Sequence, residues 1–301
     1  MGTTTWQRSV PLRRHQGLDA QRPLMVLRNR HARGTTYAGD VHYELELGIV
    51  LSGAMKRESG GTVQVARRGQ VWLCGMWEPH RYRVTQGPCE VLVLVVRPQC
   101  LAGLRFEQEP EHRWLLPFTV PAAQRPQVQG RAREEVVAWA KRMARLVDGP
   151  RTRVQRLEEQ VLLLELLLLL RREWRMPSAL EQAVERDPDH GVRIDQAIQL
   201  VFERRGDITA IAAARAVGLS RNRFNRLFVD LMGDSFAHFA AGYRLGGAAA
   251  DLARGEEPLK AIARSWGFTD ASHLVRRFRL SYGCTPAQYR LRMRGLPSVA
   301  E

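Results

Sequence analysis

Between Ile208 and Arg290 the chain carries one pattern twice, and that repetition limits its fold more than any other feature. The first copy reads ITAIAAARAVGLSRNRFNRLFVDLMGDSFAHF from Ile208; the second reads AIARSWGFTDASHLVRRFRLSYGCTPAQYR from Ala261. Gly218 matches Gly267 at a spacing of 49, whereas Arg226, Phe228 and Gly233 match Arg276, Phe278 and Gly283 at a spacing of 50. The extra residue is expected in the second helix region. Each copy predicts a short apolar helix, a glycine-centred turn and a second helix opened by a capping side chain, Ser220 or Asp270. One such pattern is common among helical proteins, but two copies in register argue for a duplicated helix-turn-helix.

The second helix of each copy has two faces. In the first, Phe224, Leu227 and Phe228 point to a core, while Asn222, Asn225 and Arg226 share the opposite side at steps of three and four. In the second, Leu274 and Phe278 are apolar with Val275 nearby, while Ser272, Arg276, Arg277 and Arg279 project outward. An exposed helix of this kind behind a tight turn can enter a DNA major groove. Asparagine pairs bidentately with adenine and arginine with guanine, each worth about 1–3 kcal/mol of discrimination. Asn222, Asn225, Arg226, Ser272 and Arg276 are therefore expected to read bases, with Ala271 and Val275 suited to thymine methyls. Arg221, Arg223, Arg277 and Arg279 are assigned to phosphates, which give affinity without sequence information. Each arginine also has an ordinary reading as a solvated surface charge, weakest for Arg226 and Arg276 because the duplicated frame puts both at one helix position. Phe236 to about Arg254 reads as a connecting helix of roughly 18 residues, about 27 Å long. That length suits two recognition helices in successive major grooves.

With the closing Gly-x-Thr-Pro-x-x-Tyr-Arg run, Gly283 to Arg290, residues from about Val192 to Arg294 resemble the AraC/XylS family of bacterial transcription regulators. Cys284 is a small departure inside that run. The resemblance implies double-stranded promoter DNA and RNA polymerase as partners and activation more often than repression. It also matches the base-reading positions named above.

The 301-residue chain is long enough for two domains, and its net charge of +15 suits a polyanionic partner. From about Leu24 to Pro98 the runs LMVLR, YELELGIVL, TVQVA, QVWLC, HRYRV and EVLVLVV predict short strands, punctuated by Gly53, Gly60-Gly61, Gly69, Gly75 and Gly87. Many short strands with regular turns mean a barrel or sandwich. Leu45, Leu47, Ile49 and Leu51 alternate with His42, Glu44, Glu46 and Val50. The glycine spacing Gly69-x5-Gly75 and Pro79-His80 resemble the cupin-type sensor domain of many AraC-type regulators. The resulting fold class is α+β in two domains: a cupin-like β-barrel with following helices, then an all-α domain with two helix-turn-helix units. The divisions are a sensor domain at 1–130, a helical dimerisation region at 131–184, a linker at 185–191 and a DNA-binding domain at 192–301.

Three readings of the histidines stay open. His42, Glu44 and Glu46 can form a solvated strand face with His80 a backbone-bonded turn residue. His42, Trp72, Trp77, His80 and Tyr82 can line a pocket for a small-molecule effector. His42, Glu46 and His80 can ligate a divalent metal, although a metal-binding cupin has an H-x-H pair where this chain has His42-Tyr43-Glu44. The missing histidine weakens the metal reading, and no metal or other cofactor and no enzymatic activity are expected; the alternative is a metal-binding cupin enzyme with an appended DNA-binding module.

Arg131 to Val147 and Arg151 to Met176 predict two helices. In the second, Val154, Leu157, Val161, Leu164 and Leu168 form a stripe, and further leucines widen it nearly all round. Burial from several sides is expected, including against a second subunit, giving a homodimer through Arg151–Met176. Cys74, Cys89, Cys100 and Cys284 show no metal spacing and read as reduced thiols. The leucine run is shorter than the roughly 20 residues of a membrane span, and the N-terminal residues show no apolar signal core. A cytoplasmic protein with no membrane partner is expected.

Overall fold

The computed structural model describes residues 18, 21–59, 61–102, 104, 106–109, 112–149, 152–175, 188–232 and 235–295. The chain divides between Val192 and Arg193 into two compact units. Among the described residues no helix is long and apolar enough to cross a membrane.

The N-terminal unit holds β1 (Leu24–His31), β2 (Thr36–Asp40), β3 (Leu45–Ser59), β4 (Thr62–Arg67), β5 (Val71–Cys74) and β6 (His80–Val96), all in one sheet. The turn expected at Gly87 is absent. HRYRV and EVLVLVV are one strand, β6, which pairs antiparallel with β3 for most of its length. β2, which the periodicity did not disclose, pairs with the start of β6.

Register shifts between Val50 and Met55 break the β3–β6 ribbon into two halves. One half is flanked by β1 and β5, the other by β2 and β4. A bulged ribbon bends, and here the halves face each other: Arg57, from the far half of β3, donates to Glu46 in the near half at 2.7 Å. Trp72 on β5 fills the interior opposite Gly48, where an added Cβ would lie 1.8 Å from the indole. Leu45, Leu47 and Ile49 point the other way and are fully buried. Helix α3 (Ala132–Val147) packs on β3 and β1 and supplies their cover. Both faces of the strand are therefore inside, the apolar one under helices and the polar one within the sheet. His42, Glu44 and Glu46 are buried, which overturns the solvated-face reading.

Two short helices, α1 (Pro98–Ala102) and α2 (Leu116–Thr119), precede α3, and α4 (Arg153–Glu173) follows it. Thr152 caps α4 in a reciprocal box with Gln155. α4 packs on α3 through Leu162, Leu163, Leu166, Leu167 and Leu170, and the Trp139 indole donates to the Leu162 carbonyl at 2.9 Å. Within one chain the other side of α4 is uncovered. Val154, Leu157, Val161 and Leu168 are 66%, 61%, 56% and 48% exposed. Arg151 and Met176, the expected ends of this helix, lie outside the described residues.

The C-terminal unit is helical: α5 (Pro188–Glu203), α6 (Ala210–Ala216), α7 (Arg221–Met232), α8 (Phe236–Arg254), α9 (Leu259–Ser265), α10 (Ala271–Tyr282) and α11 (Pro286–Gly295). α5 begins within the expected 185–191 linker, whose first three residues lie outside the described ones. Ile194, Ala197, Ile198 and Val201 of α5 are fully buried. α8 packs on α7 on one side and on α9, α10 and α11 on the other. Ring contacts run from Phe224 and Phe228 through Phe236, Phe239, Phe202 and Tyr243 to Trp266, each pair 5.2–6.4 Å apart.

Candidate nucleic-acid interface

The two helix-turn-helix copies repeat bond by bond. Leu219 N donates to the Ala214 carbonyl at 2.9 Å, and Phe268 N to the Ala263 carbonyl at 2.9 Å. Gly218 N donates to Arg215 O at 3.1 Å and Gly267 N to Arg264 O at 3.2 Å. Both glycines sit in the left-handed region, at φ +69° and +67°, a conformation that closes the first helix and redirects the chain. Ser220 Oγ then accepts from Arg223 N at 3.4 Å and Asp270 Oδ1 from His273 N at 2.6 Å. The extra residue of the second copy is in this turn, between Gly267 and the Asp270 cap. α7 and α10 are both 12 residues long, which corrects its expected place in the helix. A turn absorbs an insertion, whereas a helix would rotate every later side chain by about 100°.

Phe224, Phe228, Leu274 and Phe278 are fully buried and fix which side of each recognition helix faces out. Asn222, Arg226, Arg221 and Arg223 on α7 are exposed and Asn225 is half-buried. On α10, Ser272, Arg276, Arg277 and Arg279 are exposed and Val275 is half-buried. A shallow groove along α10 is lined by Ala271, Ser272, Val275, Arg276, Arg279 and Leu280. Leu280, 79% exposed, is a residue of this face that the sequence reading passed over. Its apolarity in a helix with other apolar positions hid it; only its offset from Phe278 gives it away.

The closing run builds the second copy. Gly283 is the left-handed C-cap of α10, and Thr285 and Gln288 exchange side-chain bonds that cap α11. Tyr289 is buried against Phe278, ring centroids 5.3 Å apart, and Arg290 donates to the Glu257 carbonyl at 2.6 Å. Gly233, the counterpart of Gly283, lies outside the described residues. Arg244 ties the connecting helix α8 to the second copy by donating to the Gly267 carbonyl at 3.2 Å. Burial lowers its pKa despite nearby Asp207, with Arg277 adding to the decrease.

The residues expected around an effector pocket gather in the N-terminal unit, but with a different character. His42, Trp72 and His80 are buried, and Trp77 and Tyr82 half-buried. Arg57, unforeseen because it stands in a charged run, lies 4.1 Å over the Trp72 ring and 5.8 Å from Tyr82. Trp77 packs on Tyr43 at 5.3 Å. Glu46 Oε1 accepts from Arg57 and from the Trp72 indole at 2.6 Å. Burial works against charge on Glu46, yet His80 and Arg57 hold its carboxyl well below the usual range. Burial also opposes charge on His80, but neighbouring Cys74 and Glu46 outweigh it and raise its pKa well above the ordinary value. Cys74, Cys89 and Cys284 are free and buried; Cys100 is free and half-buried.

A duplicated helix-turn-helix with two outward recognition helices defines a DNA-binding class of protein. Residues 213–292 match the family model described as a helix-turn-helix domain. Over 105 residues the chain is 31% identical to the RCS-specific HTH-type transcriptional activator RclR of Escherichia coli (strain K12). That overlap covers 35% of this chain and 37% of the relative, so the chain matches little over a third of RclR's length. In fold, the chain is similar to ToxT from Vibrio cholerae O395, with TM-score 0.51, 11% identity and coverage of 91% of this chain and 99% of that one. It also matches a transcriptional regulator of Chromobacterium violaceum with an AraC-type DNA-binding domain, at TM-score 0.33 and 22% identity, over 35% of this chain and 95% of that one. Residues 213–292 thus carry a helix-turn-helix domain of the kind that family model describes.

Proposed function

We propose that the chain is a sequence-specific transcription regulator that binds promoter DNA through α7 and α10. The observation that carries this reading is the bond-by-bond repetition of the turn, which leaves a polar, arginine-bearing face exposed on each following helix. In this reading Asn222, Asn225, Arg226, Ser272 and Arg276 read base edges, while Arg221, Arg223, Arg277 and Arg279 contact phosphates. α8, with 19 residues, is about 28 Å long at the usual rise and holds the two heads apart. One monomer then touches two grooves, and its site need not be palindromic. Activation through RNA polymerase follows the activator relative.

The N-terminal unit is the cupin-like regulatory half, responding to a small-molecule effector or to dimerisation, and the protein works in the cytoplasm. The apolar stripe of Val154, Leu157, Val161 and Leu168 supports a homodimer through α4, since these side chains repeat at helical spacing and are about half exposed or more. Genomic footprinting tests the central claim: discrete sites near a few promoters are expected, and uniform occupancy would reject it. Light scattering tests the dimer. A dimer at micromolar concentration that becomes a monomer on Leu157→Glu supports it, and a monomeric wild type rejects it.

A further inference from the structure

Inside the N-terminal unit, ligand atoms of Asp40, His42 and His80 lie within 4.8 Å of one another, and all three residues are buried. Each is held from outside the group. His42 Nδ1 donates to the Glu44 backbone carbonyl at 2.9 Å, and His80 Nδ1 to the Glu78 carbonyl at 3.0 Å. The Tyr37 hydroxyl donates to Asp40 Oδ2 at 2.6 Å, which leaves Oδ1 turned toward His80. A carbonyl only accepts, so each Nδ1 carries a hydrogen and each ring turns its Nε2 toward the group. Backbone or carboxylate partners on the far nitrogen are what orient histidines as metal ligands.

What those Nε2 atoms meet is oxygen. His80 Nε2 is 3.1 Å from Asp40 Oδ1 and 3.4 Å from Glu46 Oε2, and His42 Nε2 is 3.8 Å from the same Glu46 oxygen. At this range an Nε2 meets a carboxylate either as the N–H of an imidazolium or as a lone pair with a cation between them. Asp40, Glu44 and Glu46 are all buried here, and Arg57 donates to Glu46. Around one ion with ligands at about 2.1 Å, neighbouring ligand atoms are spaced about 3.0–3.4 Å apart, and the Asp40–His80 separation of 3.1 Å falls in that range.

We propose that Asp40, His42 and His80 bind a divalent transition-metal cation, with Glu46 balancing its charge from the side. Two imidazoles and a carboxylate suit iron, manganese or zinc ions, and the set leaves coordination positions open. The site differs from the one expected of His42, Glu46 and His80: Asp40 takes the carboxylate position, because Glu46 is committed through Oε1 to Arg57 and Trp72. A bound cation would pin β2, the segment before β3 and the start of β6 together. Protonated imidazoles that donate to the carboxylates are the other way to satisfy these contacts, and the experiment separates the two.

Full-length protein purified without chelator or metal-affinity tag is analysed for metal by mass spectrometry, stripped, and titrated with cobalt(II) while visible absorbance is followed. About one equivalent per chain is expected, with cobalt bands that saturate at the same stoichiometry. His80→Gln and Asp40→Asn should each weaken cobalt binding by at least about 100-fold, and Tyr37→Phe, which keeps every ligand, by about 10- to 100-fold. Cys284→Ser should bind as wild type. A folded wild type with under about a tenth of an equivalent and no cobalt bands at saturation would overturn the proposal in favour of a protonated cluster. So would unchanged affinity in Tyr37→Phe, a variant whose fold is checked by circular dichroism. DNA binding is not read in this experiment, so its outcome is independent of the regulatory function.

Discussion

The two recognition helices share a backbone and differ in chemistry. α7 presents Asn222, Asn225 and Arg226; the same positions on α10 carry Ser272, Val275 and Arg276, with Leu280 exposed further along. Both begin at a side-chain cap and both bury two large residues at the same steps. The frame is thus held twice while the reading surface is free to diverge. The first head is rich in groups that pair with base edges, and the second offers one arginine and an apolar groove suited to methyl groups.

The comparison breaks hardest at the core. Phe228→Ala and Phe278→Ala should each destabilise the C-terminal unit by about 3–5 kcal/mol, since both rings are fully buried. Phe228 should lie at the upper end. It touches Phe224, Phe236 and Phe239 in the ring series that continues to Trp266, whereas Phe278 contacts Tyr282 and Tyr289 within its own copy. Hydrogen exchange of α5 to α11 in the full chain reads this directly. Protection lost across both copies in Phe228→Ala but mainly in α10 and α11 for Phe278→Ala is the expected pattern; equal spread in both would show that the copies unfold as one.

Divergence of the reading surface has its own test. Arg226→Ala should cost about 1–3 kcal/mol on the cognate site and almost nothing on unrelated DNA. Arg277→Ala should weaken both alike and lower the salt slope by about 1. If Asn225→Ala and Val275→Ala cost the same on cognate DNA, the proposed division of labour between the heads is wrong. Fluorescence anisotropy at two salt concentrations on cognate and scrambled duplexes distinguishes these outcomes.

The two units also differ in how much of them the sequence discloses. In the C-terminal half each structural demand is met by a residue type with few alternatives: glycine for a positive φ, serine or aspartate for a cap, phenylalanine at helical spacing for a core. Turns, helix faces and exposed arginines were therefore legible, and the inserted residue was misplaced only because offsets do not say where a turn ends. In the N-terminal half the alternation of Leu45, Leu47 and Ile49 with Glu46 was equally plain, but a period of two says that the faces differ, not which one meets water. The polar face turned inward because α3 covers the apolar one. Asp40 escapes notice because β2 gives no periodic signal, and Arg57 because it stands in a charged run. On α4, apolar residues nearly all round left the exposed side undetermined, and it proved to be the Val154–Leu168 stripe.

The smallest expected effect concerns the caps, where the copies are alike in position and unlike in strength. Asp270 accepts from His273 N at 2.6 Å and brings a negative charge to the first turn of α10, while Ser220 accepts from Arg223 N at 3.4 Å with a neutral hydroxyl. A charged acceptor at a helix N-terminus gains from the helix dipole as well as from the bond. Asp270→Ala should therefore cost about 1–2 kcal/mol, and Ser220→Ala about 0.5–1 kcal/mol. Urea unfolding of both variants checks the difference. Equal costs would mean that the extra turn residue, rather than the cap, holds the second recognition helix in place.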